Sequence, residues 1–106
     1  MPDSVFVQAH PKRDGMEMVN PALLDGIEVF NMHPHHNSRV GLASLYAKEN
    51  NISVITAGSD FHHQNVSHEG LAAIRTKYLP DDTFGIAKLL RQGDYLIEIA
   101  RENIIL

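Results

Sequence analysis

Apolar, β-branched stretches alternate with polar turns along the chain and predict a series of short strands. Three such runs cover Ser4–Ala9, Gly26–Asn31 and Ile52–Ala57, and each ends at a polar or turn-forming residue. After the second run, apolar side chains recur at helical spacing and predict a helix over residues 39–50, with Ser38 as its N-cap. The apolar stripe expected to face the core consists of Val40, Leu42, Ala43, Leu45, Tyr46 and Ala47.

Further elements are expected before the second strand and after the third. They are a helical turn over residues 22–25 capped by Asn20-Pro21, a strand or short helix over Glu69–Thr76, a helix over Thr83–Gln92 ended by Gly93, and a final strand over Tyr95–Ala100. Alternation of strands with helices predicts an α/β fold with mainly parallel strands, as a single domain over residues 1–106 that forms an open sheet or part of a β/α barrel.

Composition narrows the class of protein. The chain has 106 residues, 43% of them hydrophobic and 21% charged, and no apolar run approaches the roughly 18–20 residues that span a bilayer. The absence of cysteine removes disulfides and thiolate ligands, so we expect a cytoplasmic protein whose metals would take nitrogen and oxygen ligands. A net charge of −4 makes nucleic acid an unexpected partner, and the lack of a bilayer-spanning apolar run makes a membrane one too.

Chemistry-bearing residues follow the predicted strands. His10 comes after the first strand, and Asp60 and His62 come after the third, just beyond Gly58. In an extended segment, residues two apart project to one side, roughly 6–7 Å apart at Cα, so Asp60 and His62 can face one pocket. Because the carboxyl ends of neighbouring parallel strands share one rim, these side chains predict a divalent-metal site there.

Other polar residues have simpler expected roles. Glu28 is expected to hydrogen-bond backbone or a rim partner rather than to bind metal. We expect His33, His35 and His36 to lie in a solvated loop near the rim, with contact to substrate as the next alternative. We expect His63 and His68 to lie at the surface. Arginines near strand ends can hold phosphate, which makes Arg13 and Arg39 candidate substrate-binding residues.

Four segments together resemble the PHP (polymerase and histidinol phosphatase) family of metal-dependent phosphoesterases. They are Ala9-His10-Pro11, Asp25-Gly26-Ile27-Glu28-Val29-Phe30-Asn31, Asn37-Ser38-Arg39 and Gly58-Ser59-Asp60-Phe61-His62. The resemblance implies a β/α barrel with up to three divalent ions, Zn, Mn or Fe, at its carboxyl rim. It also implies that His10, Asp60 and His62 are ligands to these ions, which activate water to attack a phosphate ester.

The resemblance covers only the carboxyl-terminal part of such a domain. The family begins with a His-x-His pair and supplies further His and Glu ligands before Ala-His-Pro. The pair formed by His33 and His35 follows the second strand and is not its equivalent. A chain with part of the ligand set is expected to bind metal weakly and to turn over substrate poorly.

Three functions stay open at this point. The first is a hydrolase, or a fragment of one, that acts on a phosphorylated small molecule. The second is a catalytically incomplete binding or assembly module that keeps part of the metal site, and the third is a metal-storage module that uses the histidine clusters. Exposed strand edges would favour pairing with a second copy or with a separate chain that supplies the amino-terminal part.

Overall fold

A three-stranded parallel sheet forms the centre of the computed structural model, which describes residues 4–62, 72–100 and the backbone of 102–104. The sheet has the order β1-β2-β3. Its strands are β1 (Val7–Gln8), β2 (Gly26–Asn31) and β3 (Val54–Gly58), with a 3-10 turn (Pro21–Leu23) before β2 and helix α1 (Val40–Glu49) between β2 and β3.

A second sheet lies next to β3 and is antiparallel, with the order β4-β5-β6. It contains β4 (Ala72–Thr76), β5 (Tyr95–Ile99) and β6 (Glu102–Ile104), and helix α2 (Thr83–Gln92) connects β4 to β5. The Ser59 hydroxyl donates to the Ala72 carbonyl oxygen (3.3 Å) and ties the end of β3 to the start of β4.

The core lies between β2 and α1. Ile27 and Val29 of β2 are fully buried, and they pack with Ala43 and Ala47 of the helix. Small side chains on that helix face bring it close to the sheet. Gly26 allows β2 to lie close to β3, because a Cβ at this position would lie only 2.4 Å from the Val54 carbonyl oxygen.

Both predicted helices form, but they begin differently. At α2 the Asp82 carboxylate accepts from the Gly85 N–H (2.8 Å), and Gly93 (φ 71°) ends the helix as predicted. At α1 the prediction of Ser38 as N-cap is wrong. Arg39 occupies that position in the left-handed region (φ 49°) without a side-chain cap, because the Ser38 hydroxyl is engaged elsewhere.

The apolar stripe of α1 is only partly core. Ala43 and Ala47 are buried as expected, whereas Leu42 and Leu45 are about half exposed. The stripe predicted from spacing was wider than the helix face that the three-stranded sheet covers. Its outer leucines therefore remain at the surface of the part of the chain described.

The mixed α/β class is confirmed, and its finer architecture differs from the prediction. The strands of the described residues form two sheets and do not close into a barrel, and β4, β5 and β6 are antiparallel rather than parallel. Strand β2 has its predicted bounds, β1 is shorter than predicted, and β6 was not predicted. Residues 69–71 of the predicted Glu69–Thr76 element lie outside the described residues. No helix within the described ranges is long and apolar enough to cross a membrane.

Candidate functional site

A pocket of about 460 Å³ opens beyond the carboxyl ends of the three parallel strands. Its lining residues are His10, Arg13, His33, His35, His36, Asp60 and His62. They come from the segments that follow β1, β2 and β3, so the strand order brings together residues far apart in sequence. We call this cavity the strand-end pocket.

Arg13 links the walls of the strand-end pocket. Its Nη1 donates to the Asp60 Oδ2 (3.0 Å), and its Nη2 donates to the Asn31 Oδ1 (2.8 Å) and the Ser38 Oγ (3.2 Å). The Arg13 and Asp60 side chains are only 14% and 17% exposed, so this ion pair is shielded from water and fixes both groups.

The Asp60 carboxylate is held in its charged form. Burial acts to raise its pKa, but hydrogen bonds from Arg13 and Asn31 and the nearby positive charge outweigh burial, and the pKa is lowered from its ordinary value. The ionised carboxylate is the form that binds cations. Within the described chain, the cation that it binds is the Arg13 guanidinium.

Glu28 stabilises the backbone and side chains next to the pocket. Its Oε1 accepts from the His10 backbone N–H (3.0 Å) and from the Asn31 Nδ2 (2.7 Å). These are a backbone group and a rim partner, as the sequence predicted. Glu28 thereby holds the turn after β1 against β2 and orients the amide that bonds to Arg13.

His10 and Asp60 have unusual backbone conformations, with φ of 28° and 55°. Non-glycine residues with positive φ are uncommon and often lie at functional sites. The His10 Nδ1 is also buried without a hydrogen-bond partner among the residues described. A buried ring nitrogen without a partner costs about 1–3 kcal/mol, so its environment is one that a ligand would improve.

His62 is exposed and turned back towards Asp60. Its Nδ1 lies 2.8 Å from the Asp60 carbonyl oxygen and 3.4 Å from the Asp60 Oδ1. A carbonyl oxygen only accepts, so this contact assigns the proton to Nδ1 and the lone pair of the neutral ring to Nε2. Nε2 is therefore the ring atom suited to a cation.

Residues 33–36, here called the histidine loop, form one wall of the pocket. The His33 ring centroid lies 5.6 Å from that of His35, 4.6 Å from that of His36 and 6.3 Å from that of His62. The Asn31 Oδ1 accepts from the His33 N–H (3.1 Å), and the His33 Nδ1 accepts from the His35 N–H (3.1 Å). The loop is thus fixed at the rim by its own polar groups.

The side chains of the pocket are of the types that bind a divalent ion, but they are not arranged as a metal site. His10, Asp60 and His62 supply the imidazole nitrogens and the carboxylate oxygen that a borderline metal takes, and the buried His10 Nδ1 has no hydrogen-bond partner among the described residues. Across residues 4–62 and 72–100, however, no group of three or more potential ligands is arranged to hold an ion. His63 and His68 lie outside the described residues.

Arg39 lies outside the strand-end pocket. Its Nη2 pairs with the Asp14 Oδ1 (2.6 Å), and its Nη1 donates to the Lys12 carbonyl oxygen (2.9 Å). Arg39 therefore holds the turn that carries Arg13, and it contacts no lining residue through these bonds. Its predicted contact with substrate stays a prediction.

Sequence reasoning missed the roles of Asn31 and Ser38. Asn31 was predicted as the end of a strand and Ser38 as a helix cap, yet both are buried and both accept from Arg13. One signal pointed to Asn31. It lies on the same face of β2 as Ile27 and Val29, and this alternation could have indicated that its side chain turns towards the interior.

A larger cavity of about 520 Å³ lies away from these strand ends. Its lining residues are Ser53, Arg75, Thr76, Lys77, Gly93, Asp94, Tyr95 and Leu96. The cavity is open, and its two cations already pair with carboxylates, Arg75 with Glu98 (3.4 Å) and Lys77 with Asp94 (4.0 Å). The chemistry therefore favours the strand-end pocket.

Comparison with protein-family models, with curated proteins and with solved structures finds no match to this chain in any of the three.

Proposed function

We propose that the chain contributes the carboxyl-terminal part of a metal-dependent phosphoesterase site. His10, Asp60 and His62 are the proposed ligands to divalent ions, Zn, Mn or Fe, and Arg13 is the proposed phosphate-binding residue. The observation that carries the proposal is that all four side chains line one pocket beyond the carboxyl ends of parallel strands. This is where α/β proteins bind ligands.

The ion-pair geometry defines what each residue would do. When bound, a divalent ion supplies an activated water and positive charge for the phosphoryl oxygens. Asp60 would exchange its bond with Arg13 for a bond to the ion. Arg13, still held near the pocket by Asn31 and Ser38, would then turn its Nη1 to a phosphate oxygen, for which a guanidinium is well shaped.

A second function is favoured by a separate observation. The described residues hold no ready cluster of three ligands, and the Asp60 charge is already satisfied by Arg13. Both facts suit a catalytically incomplete binding or assembly module, in which the Arg13–Asp60 pair is a permanent structural contact. Such a module keeps its fold and its binding without metal.

Metal content separates the two proposals. The purified chain is dialysed with Zn²⁺, Mn²⁺ or Fe²⁺, freed of excess ion and measured by elemental analysis, beside His10→Ala, Asp60→Asn and His62→Ala. Lys88→Ala, at an exposed position of α2, is the matched control. The phosphoesterase proposal expects retained metal that the first three variants lose and the control keeps. It also expects hydrolysis of p-nitrophenyl phosphate that falls with metal content.

The opposite result is equally clear. If the wild-type chain retains no metal, the phosphoesterase proposal fails and the binding module stands. If all three variants retain as much metal as the control, the phosphoesterase proposal also fails, and a metal-storage function of the histidine clusters is favoured. Circular dichroism of each variant identifies loss of metal that follows from unfolding. Asp60→Asn is chosen because its amide keeps the size of the side chain and can still accept from Arg13.

A further inference from the structure

We infer that the outer edge of β1 pairs with β1 of a second copy of this chain, related by a two-fold axis, so that the two parallel sheets join. The choice of occupant follows from the hydrogen bonds and the charges of this edge, not from the strand-end pocket. The inference is therefore independent of the proposed function, and it can hold or fail whether or not the chain binds metal.

The backbone of Val7 faces the outer side of the parallel sheet. The Phe6 carbonyl oxygen accepts from the Gly26 N–H (3.0 Å), and the register aligns Gln8 with Ile27, so the peptide groups of Phe6 and Gln8 point towards β2. Because peptide groups alternate sides along a strand, the N–H and the carbonyl oxygen of Val7 point the other way. Neither group has a hydrogen-bond partner among the described residues. Val7 therefore offers one donor and one acceptor to a further strand.

The opposite edge of the same sheet is already occupied. On β3, the Ile55 carbonyl oxygen accepts from the Tyr95 hydroxyl (2.7 Å), and the Ile55 N–H donates to the same hydroxyl (3.3 Å). A side chain of β5 thus takes the place of a neighbouring strand there. Within the described ranges, β1 is the edge of the parallel sheet that is open to a new strand.

The charges at the β1 edge favour a second copy as the occupant. Residues 4–9 contain no charged side chain and no proline, which are the residues that commonly protect a free edge from pairing. Asp25, whose carboxylate accepts from the Phe6 N–H (2.8 Å), is paired with Arg91 at 3.2 Å, so this pair adds no net charge. An edge without charge does not select a partner of opposite charge, and it can approach an identical edge without repulsion.

A two-fold axis at Val7 would set the two β1 strands antiparallel. The Val7 N–H of each copy then donates to the Val7 carbonyl oxygen of the other, which is the hydrogen-bonded pair of an antiparallel ladder. Next to it, the Phe6 side chain is 69% exposed and supplies apolar surface close to the axis. Because the axis uses the same edge of both copies, association stops at a dimer. The short strand limits the buried surface, so we expect a weak and reversible dimer.

Sedimentation equilibrium of the chain, over roughly 5–500 µM and in EDTA to exclude bridging metal, measures the association. Phe6→Lys brings two like charges close to the axis. Val7→Pro removes the N–H that donates across it, at an outward-facing position where proline is tolerated. Leu45→Lys is the matched control, because Leu45 is a half-exposed apolar residue (51%) on α1. We expect dimers of wild type and of the control, and association at least about tenfold weaker in both β1 variants.

Hydrogen exchange identifies the surface that pairs. The Val7 amide should become protected as protein concentration rises, whereas the Gln8 amide, which faces β2, should keep the same protection at all concentrations. Circular dichroism verifies that each variant is folded. If Val7→Pro does not fold, Phe6→Lys and the Val7 amide decide the test.

Three results would overturn the inference. The first is a wild-type chain that stays monomeric over the whole range, which would leave the edge to a different chain. The second is a dimer that both β1 variants retain, and the third is a dimer whose formation leaves exchange of the Val7 amide unchanged. Either of the last two would place the contact on another surface.

Discussion

The hydroxyl of Tyr95 forms hydrogen bonds with both backbone polar groups of Ile55, which lies on the neighbouring sheet. It donates to the Ile55 carbonyl oxygen (2.7 Å) and accepts from the Ile55 N–H (3.3 Å). Ile55 lies on β3, which is an edge strand of the parallel sheet. One side chain of β5 thus satisfies two backbone groups that a further strand would otherwise pair, and it joins the two sheets.

Tyr95→Phe removes both bonds while keeping the ring. We expect the free energy of unfolding to fall by about 1–3 kcal/mol, because the Ile55 N–H and carbonyl lose their partner at a partly buried position. Urea denaturation measures the change. Tyr78→Phe, at an exposed tyrosine, is the control and should change stability by less than about 0.5 kcal/mol.

The same tyrosine predicts a loss of stability in alkaline solution. Burial raises the pKa of Tyr95 above its ordinary value of 10.0, against the opposing effect of the bond to Ile55. The folded chain therefore holds this proton more tightly than the unfolded chain. Its contribution to stability is complete below pH 10 and is lost as pH rises through the folded-state pKa. Denaturation curves of wild type and Tyr95→Phe should converge over that range, and curves that stay parallel would contradict the assignment.

Asp25 predicts the opposite behaviour in acid. The Phe6 N–H donates to its Oδ2 (2.8 Å), and this bond, with Arg91 at 3.2 Å from Oδ1, lowers the pKa of Asp25 below 3.8 despite partial burial. Its contribution is therefore complete above pH 3.8 and is lost as pH falls through the folded-state pKa. Asp25→Asn should lower stability by about 1 kcal/mol at neutral pH and flatten the acid limb of the stability curve. Asp81→Asn, at an exposed aspartate, is the control for the substitution itself.

Arg13 is expected to be the most costly polar residue of the pocket to replace. Arg13→Ala leaves Asp60, Asn31 and Ser38 without the guanidinium that they share, and should cost about 2–3 kcal/mol in urea denaturation. Arg13→Lys keeps the charge but lacks the planar fork that reaches all three groups, so its cost should be intermediate. Equal stability of Arg13→Ala and wild type would show that the pair contributes nothing.

A pair of glycines tests the packing of the parallel sheet. An added methyl at Gly26 would overlap the Val54 backbone, so Gly26→Ala should cost about 3 kcal/mol. Gly41 of α1 has open space around it, and Gly41→Ala should stabilise the chain by about 0.5 kcal/mol through helix propensity. Thermal denaturation of both variants checks the sign of each effect. A tolerated Gly26→Ala would be inconsistent with the close approach of β2 and β3.

Local patterns predicted the elements better than their arrangement. The bounds of β2 follow from an apolar run and the end of α2 follows from Gly93, which are signals contained within a few residues. Strand direction is not such a signal. The antiparallel pairing of β4 and β5 depends on contacts such as Ile74 with Ile97, which only the folded chain brings together.

The site shows the same division. Strand-end positions sufficed to predict that His10, Asp60 and His62 would reach one pocket, because the carboxyl ends of parallel strands share one edge. The extended conformation predicted for the segment from Asp60 to His62 is wrong, since β3 ends at Gly58 and Asp60 has a φ of 55°. The pairing of Arg13 with Asp60 spans 47 residues of sequence and could not be read from either neighbourhood. The guanidinium that would compete with the proposed ion for Asp60 could therefore not be predicted before the fold was known.

Strand β1 pairs with the sheet through only two residues, yet the segment after it carries His10 and Arg13. Detachment of this strand would break its short ladder, the bonds of Phe6 and His10 to carboxylates and the three bonds of Arg13. It would leave the core between β2 and α1 in place, so it should cost less free energy than complete unfolding. The amides of Phe6 and His10 should then exchange with deuterium before those of β2. The two sides of the strand-end pocket should therefore differ in local stability, because the side that carries His10 and Arg13 can detach while the hydrophobic core stays intact.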